Sequence, residues 1–222
     1  MFFLQSLGIW APTTYTMKGS LKLPLANMSE PFEAAFDLKN ELAYVGYFDN
    51  MSYTIWNKNV YHVFYQYNQS NCTHIINGQN DSTASITTML PDLASEQWKD
   101  LGYKEIRGLM AKHYQLKAYD GVGPSDIDAT YAWNVTDYQD YYCIEGADFN
   151  NEQYCMPWRW EIHGYNTNGG SHFDFYQIDY TEFDPIPVLS EVNFTVPDVC
   201  KNIDVQTQMY GNDLFLQEMA QM

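Results

Sequence analysis

Seven asparagines, Asn27, Asn50, Asn68, Asn71, Asn80, Asn134 and Asn193, stand two residues before a Ser or Thr with no proline between. That is the acceptor pattern for N-linked glycans, whose attachment needs a solvent-facing side chain and a secretory lumen. With 17 Asn in the chain and Ser plus Thr at about 11% of positions, chance spacing yields about two such triplets. The excess predicts a glycoprotein. Four cysteines agree with that compartment, being even in number, with no C-x-x-C pair and no His at zinc-site spacing. Cys143 and Cys155 flank a polar stretch containing Gly146, Asp148, Asn150 and Asn151, which predicts a local bridge closing that loop. Cys72 and Cys200 remain, to pair with each other or with a partner chain.

Catalytic motifs are missing. The chain has no G-x-S-x-G elbow, no H-E-x-x-H, no G-x-x-x-x-G-K and no G-x-G-x-x-G. None of the cysteines sits in the context of a papain-type nucleophile. His172 and Asp174 lie two apart on one face of the last expected strand, and with His163 across the hairpin they have the types to bind a metal or act as acid and base. The reading adopted is a polar strand face bonded to its neighbours, with no catalytic residue, metal or cofactor assigned. Acidic residues are scattered, without the D-x-D-x-D-G pattern of a calcium loop.

The elements that must position these residues read as strands. Tyr15 to Leu25, Phe32 to Leu38, Leu42 to Phe48, Met51 to Trp56 and Val60 to Tyr67 show period-two patterning between Pro, Asn, Asp and Lys-Asn breaks, as in a meander. Glu105 to Lys117 reads as a further strand. Within Trp158 to Tyr180, two aromatic alternating runs are joined by Asn166-Thr167-Asn168-Gly169-Gly170-Ser171, strong hairpin chemistry because Asn and Gly tolerate positive φ. Only Leu93 to Leu101 and Asp213 to Met222 read as helical. The expected fold is therefore mainly β: a curved antiparallel sheet or half-barrel with one or two short helices.

Composition bounds the rest. At 222 residues with 45% apolar side chains, the chain is long enough to bury a sizeable core without relying on crosslinks. Its 11 Lys and Arg against 28 Asp and Glu give a net charge of −17, which repels phosphate backbones and excludes nucleic acid as a partner. No apolar run is long enough to span a bilayer. Met1 to Trp10 are apolar but lack the basic start of a secretory signal, so any such signal is expected upstream of this numbering. The expected organisation is an apolar segment over 1–14, a single β-rich domain over 15–200 and an appendage over 201–222.

Several strings are similar to a known family. Lys18-Gly19-Ser20-Leu21, Glu30-Pro31-Phe32, Ala35-Phe36-Asp37, Leu90-Pro91-Asp92, Ile106-Arg107-Gly108-Leu109, and Gly164-Tyr165-Asn166-Thr167 through Gly170-Ser171-His172 to Asp179-Tyr180 resemble, in order, the amino-terminal domain of secreted cysteine proteases of the 26/29 kDa type. The resemblance implies a non-catalytic chain that accompanies a papain-like protease domain, in the extracellular space or the lumen of a lysosome-like vacuole. It also implies that Asp213 to Met222 begins a protease propeptide. Ala111 stands where that family carries a cysteine, and Glu41-Leu42-Ala43-Tyr44 replaces its basic strand. The domain also looks like the ependymin and lipoprotein-carrier folds, which shelter apolar ligands.

Three functional expectations follow. The first is an accessory, partner-binding module of a papain-family precursor. The second is a carrier of an apolar ligand such as a lipid, motivated by 19 Tyr and 6 Trp. The third is a structural subunit of a homo- or hetero-oligomeric extracellular assembly.

Overall fold

A computed structural model of the chain describes residues 12–67, 69–77, 82–83, 89–91, 93, 98–122, 134–149, 152–166 and 173–201. The strands are β1 (Thr14–Leu23), β2 (Met28–Asp37), β3 (Leu42–Tyr47), β4 (Ser52–Asn57), β5 (Asn59–Gln66), β6 (Gln69–Asn77), β7 (Ser82–Thr83), β8 (Trp98–Ile106), β9 (Leu109–Val122), β10 (Asn134–Phe149), β11 (Glu152–Asn166) and β12 (Phe173–Asp184). They hydrogen-bond in the order β7-β6-β5-β4-β3-β2-β1-β12-β11-β10-β9-β8, with β7 and β8 at the two ends of the order among the described residues. The protein is thus mainly β. Among the described residues the helical content is confined to short 3-10 turns at Pro24–Ala26, Leu189–Glu191 and Asp198–Cys200.

The chain divides into two compact units. One holds Gly19–Ser29 and Leu90–Thr181; the other holds Pro12–Lys18, Glu30–Met89 and, among described residues, 182–201. β1, β2 and β12 contribute residues to both. Except for 12–14 and Lys201, the expected terminal segments 1–14 and 201–222 lie outside the described residues.

In the first unit the antiparallel ladder runs through β8, β9, β10, β11 and β12. The strand expected over Glu105 to Lys117 is present from Leu109 onward as part of β9, but its first residues form a hairpin corner with β8. Arg107 and Gly108 both take positive φ, 54° and 79°, between the paired Ile106 and Leu109. Two consecutive left-handed residues match the right-handed twist of the flanking strands, which is why two residues suffice. Arg107 tolerates this because its guanidinium lies 4.2 Å from the Trp158 ring centre and donates to the Tyr180 carbonyl at 3.0 Å. The helix expected over Leu93 to Leu101 is corrected too: Trp98 to Leu101 belong to β8. Trp98 is buried and pairs with Leu116, so tertiary pairing overrides helical spacing. Gly146, with φ 100°, lies in an irregularity between β10 and β11, where the Cys143–Cys155 disulfide also joins the two strands.

Alternation sorts β11 into two faces. Trp160 and Ile162 are buried, and the Trp160 Nε1 donates to the Gln139 Oε1 at 3.2 Å. Arg159, Glu161 and His163 point the other way. Asp179, opposite Arg159 in the register, is only 3% exposed. Burial opposes its ionisation, but bonds from Arg159 Nε at 2.7 Å and Lys22 Nζ at 2.6 Å outweigh that and hold the carboxyl below its usual range.

In the second unit, β2 to β7 form a meander with Phe32, Ala34, Phe36, Ala43, Val45, Ile55, Val60 and Val63 buried. The Tyr15 ring stacks on Phe36 with centroids 4.8 Å apart, and its burial pushes the hydroxyl pKa up. After β12 the chain continues without a strand as a strap over 185–201, and Cys200 bonds Cys72 on β6. The two cysteines left open by the sequence are thus joined to each other.

Two predictions follow. Asp179→Asn removes a charge flanked by Lys22, Arg159 and Arg107 and should cost about 3 kcal/mol at pH 7. A carboxyl whose folded pKa is depressed stabilises fully above its unfolded value near pH 4, and the contribution fades as pH falls through the folded pKa. Urea midpoints should therefore separate wild type from D179N at pH 7 and converge toward pH 2; an equal gap at both contradicts the assignment. For the crosslinks, sequence separations of 128 and 12 predict that C72S/C200S loses about 5 kcal/mol and C143S/C155S about 3. Equilibrium unfolding of the two double variants gives the order, and a reversed order would show that native strain rather than loop length dominates.

Candidate functional site

The strap makes a cleft within the second unit. Its floor and near wall come from β1 (Thr16, Met17, Lys18), β2 (Glu33, Ala34, Ala35), β3 (Tyr44) and β4 (Tyr53, Ile55); its far wall comes from Glu182, Phe183, Asp184 and strap residues Glu191, Val192, Asn193, Thr195 and Pro197. The volume is about 880 Å³, the size class of a small-molecule site. Three features hold the strap: the Cys72–Cys200 disulfide, an Asn57 Nδ2 bond to the Phe194 carbonyl at 3.1 Å, and an Asn193 Oδ1 that accepts from the Thr195 amide at 3.0 Å.

The β3–β4 turn is shaped by the same site. Phe48, Asp49 and Asn50 all have positive φ, of 49°, 53° and 67°, a run that is costly for L residues and commonest at Asn and Asp. The Phe48 amide donates to the Pro31 carbonyl at 3.1 Å and the Met51 amide to the Phe48 carbonyl at 3.2 Å. This conformation turns Asn50 back over β3, where its Oδ1 accepts from the Tyr44 hydroxyl. Gly46 leaves room for that bond, since a Cβ there would displace the Asn50 Oδ1 and the Tyr44 hydroxyl.

Electrostatics are one-sided. The lining carries Glu33, Glu182, Asp184 and Glu191 against Lys18. Lys18 Nζ lies 3.0 Å from Glu182, whose hydrogen bond and charge raise the lysine pKa. Tyr44 is pushed up to about 12 by burial, then by Glu33 and Tyr53, so it stays a neutral donor. Burial also raises Tyr53, whose ring meets that of Tyr44 at 5.8 Å. The cleft combines half-buried Tyr44, Tyr53 and Val192 with four acidic side chains. Its described lining holds no Ser, Cys or His.

The sequence-derived residues fall as follows. Asn27, Asn50 and Asn193 are exposed, and Asn50 and Asn193 line the cleft. Asn71 is half-buried on β6, its Nδ2 donating to the Gln69 carbonyl at 3.2 Å. Asn134 begins β10, while Asn68 and Asn80 lie outside the described residues. Cys143 bonds Cys155, and Cys72 bonds Cys200. His172 is outside the described residues, and Asp174 pairs in register with Gly164. His163 lies instead beside Glu161 on its own strand, with 3.9 Å between His163 Nε2 and Glu161 Oε2. Sequence reading missed the strap; its available signal was Pro185, Pro187 and Pro197, which favour extended chain outside a ladder.

No protein-family model and no curated protein matches the chain. Among solved structures, an uncharacterized conserved protein from Thermus thermophilus aligns with a TM-score of 0.41 and 10% identity, over 81% of this chain and 80% of that one. The Mycobacterium tuberculosis lipoprotein LppX aligns at 0.37 and 11% identity, over 80% and 90%. A DUF1329-family protein from Desulfovibrio piger aligns at 0.37 and 10%, over 78% and 85%. The resemblance to the amino-terminal domain of 26/29 kDa cysteine proteases is corrected here, because no family model and no curated relative carries it. The papain-like partner, the propeptide reading of Asp213 to Met222 and the lysosome-like lumen rested on that resemblance and are withdrawn with it.

Proposed function

We propose that the chain is a non-catalytic binding protein of an oxidising, extracytosolic compartment, and that its cleft holds an amphipathic molecule with an apolar body and a neutral or positively charged head. The observation that carries this reading is the strapped cleft itself, where the half-buried Tyr44, Tyr53 and Val192 lie beside Glu33, Glu182, Asp184 and Glu191. An apolar body gains from burial against the walls at about 25 cal/mol per Å². An anionic head would meet like charge at the rim, whereas an ammonium would be drawn to it. The disulfides fit such a compartment, and no helix among the described residues is long and apolar enough to cross a membrane. Asn50 and Asn193, which line the cleft, are proposed to carry glycans that border the opening, and the other five acceptor asparagines to carry glycans as well.

The test displaces a fluorescent apolar probe from the full chain with dodecylamine and with dodecanoate. The amine should bind at least about tenfold more tightly, a difference of about 1.4 kcal/mol. Val192→Trp, which fills the trough from the strap side, should remove binding of both while leaving the thermal midpoint nearly unchanged. Absence of saturable binding, or equal affinity for the two that V192W leaves intact, rules the reading out.

A further inference from the structure

The first unit holds a second site on the polar face of β10 and β11. Asp140 and Glu161 stand directly opposite each other in the register of these strands, and both are mostly buried, with side chains 13% and 16% exposed. Like charges in that position repel, at a cost that grows as water is withdrawn. Cations near this face are engaged elsewhere: Lys22 and the Arg159 Nε bond Asp179, and only the Arg159 NH1 reaches Glu161, at 3.3 Å. A third group faces the pair. One ligand atom from each of Asp140, Glu161 and His163 lies within 4.8 Å of the other two.

From this geometry we infer that Asp140, Glu161 and His163 bind a divalent transition-metal ion of the zinc type. The donor set of two carboxylates and one imidazole suits zinc better than calcium or magnesium, which prefer oxygen alone. Bonds of about 2.0–2.1 Å in a tetrahedral site place ligand atoms roughly 3.4 Å apart, so modest side-chain rotation closes the set. Outer contacts already orient each ligand, as metal sites require. His113 Nε2 and Gln115 Nε2 both bond the Asp140 Oδ1, at 2.6 and 2.9 Å. Arg159 holds the Glu161 Oε1, while the Oε2 is the oxygen nearest His163. The His163 ring is stacked on Phe175 with centroids 4.5 Å apart and flanked by Tyr138 at 5.6 Å. A bound ion would neutralise the opposed carboxylates and clip β10 to β11, with a fourth position left for water. Sequence spacing grouped His163 with His172 and Asp174; the groups beside it here are Glu161 on its own strand and Asp140 on the strand before.

The experiment titrates the chelator-stripped full chain with Zn²⁺ at pH 7.5 by calorimetry, and with Co²⁺ as a spectroscopic stand-in. Expected are one ion per chain and a Co²⁺ spectrum of low coordination number with a single imidazole nitrogen. Asp140→Asn and His163→Gln should each weaken binding by at least about tenfold. Glu182→Gln, at the cleft of the other unit, should leave it unchanged. Failure to saturate at one ion, or affinity within twofold of wild type in both D140N and H163Q, overturns the site. Should a variant fail to fold, the wild-type Co²⁺ spectrum decides alone: a fully hydrated octahedral ion overturns the proposal.

Discussion

The Cys72–Cys200 disulfide is the constraint on which the cleft depends. Residues 185–201 belong to no ladder, and ordering such a segment costs about 1 kcal/mol or more per residue in backbone entropy. Little in the strap repays this locally, for its turns are single 3-10 bonds such as Glu191 to Val188 and Val192 to Leu189. Its side chains are largely exposed, with Ile186 at 56% and Val188 at 66%. The crosslink shifts the cost to the unfolded ensemble by closing a long loop there, and Pro185, Pro187 and Pro197 reduce what is left to order. The Asn57 bond to the Phe194 carbonyl then fixes the height of the strap above β4. Wall spacing, and so the size of any guest, is set by these few points.

Scarcity of cations shapes the polar chemistry of each unit. With 11 Lys and Arg against 28 acids, every pairing leaves another carboxylate less compensated. In the first unit Asp179 receives Lys22, Arg159 and the more distant Arg107 NH1 at 3.8 Å, because it is the most buried acid on that face and an unpaired charge there would be the costliest. Among the described residues, Asp140 and Glu161 are met by imidazoles, an amide, the Tyr142 hydroxyl and one guanidinium nitrogen. In the second unit Lys18 is the cation of a rim with four acids.

Much of the strand framework was legible because period-two alternation and Asn, Asp and Lys-Asn breaks are local properties; β3 and β4 fall within a residue of their expected bounds. The β8–β9 corner was hidden because its turn is Arg107-Gly108 rather than Asn-Gly, and Arg107 reaches positive φ only through contacts with Trp158 and Tyr180 distant in sequence. Around His163 the sequence displays only neighbours along one hairpin, His172 and Asp174, whereas the cross-strand register that brings Asp140 opposite Glu161 cannot be read locally. The protease likeness failed on strings such as Ile106-Arg107-Gly108-Leu109 and Glu30-Pro31-Phe32. The first is a hairpin turn and the second a strand interior, and any antiparallel meander can carry such pieces without shared descent.

The aromatic excess that first motivated an apolar ligand turns out to have another use. Tyr15, Tyr142 and Tyr180 are among the largest fully buried side chains, and Tyr114, Tyr141 and Trp160 are buried with them. Half-buried sheet faces favour such rings, whose flat bodies pack across strands while the hydroxyl or indole nitrogen finds a partner, as the Trp158 Nε1 does at the Ile106 carbonyl. Only Tyr44, Tyr53 and Phe183 of the aromatic set line the cleft. The case for a bound amphiphile therefore rests on a disulfide and three prolines that raise a wall opposite the sheet, and aromatic content by itself would have predicted the same composition for a solid core.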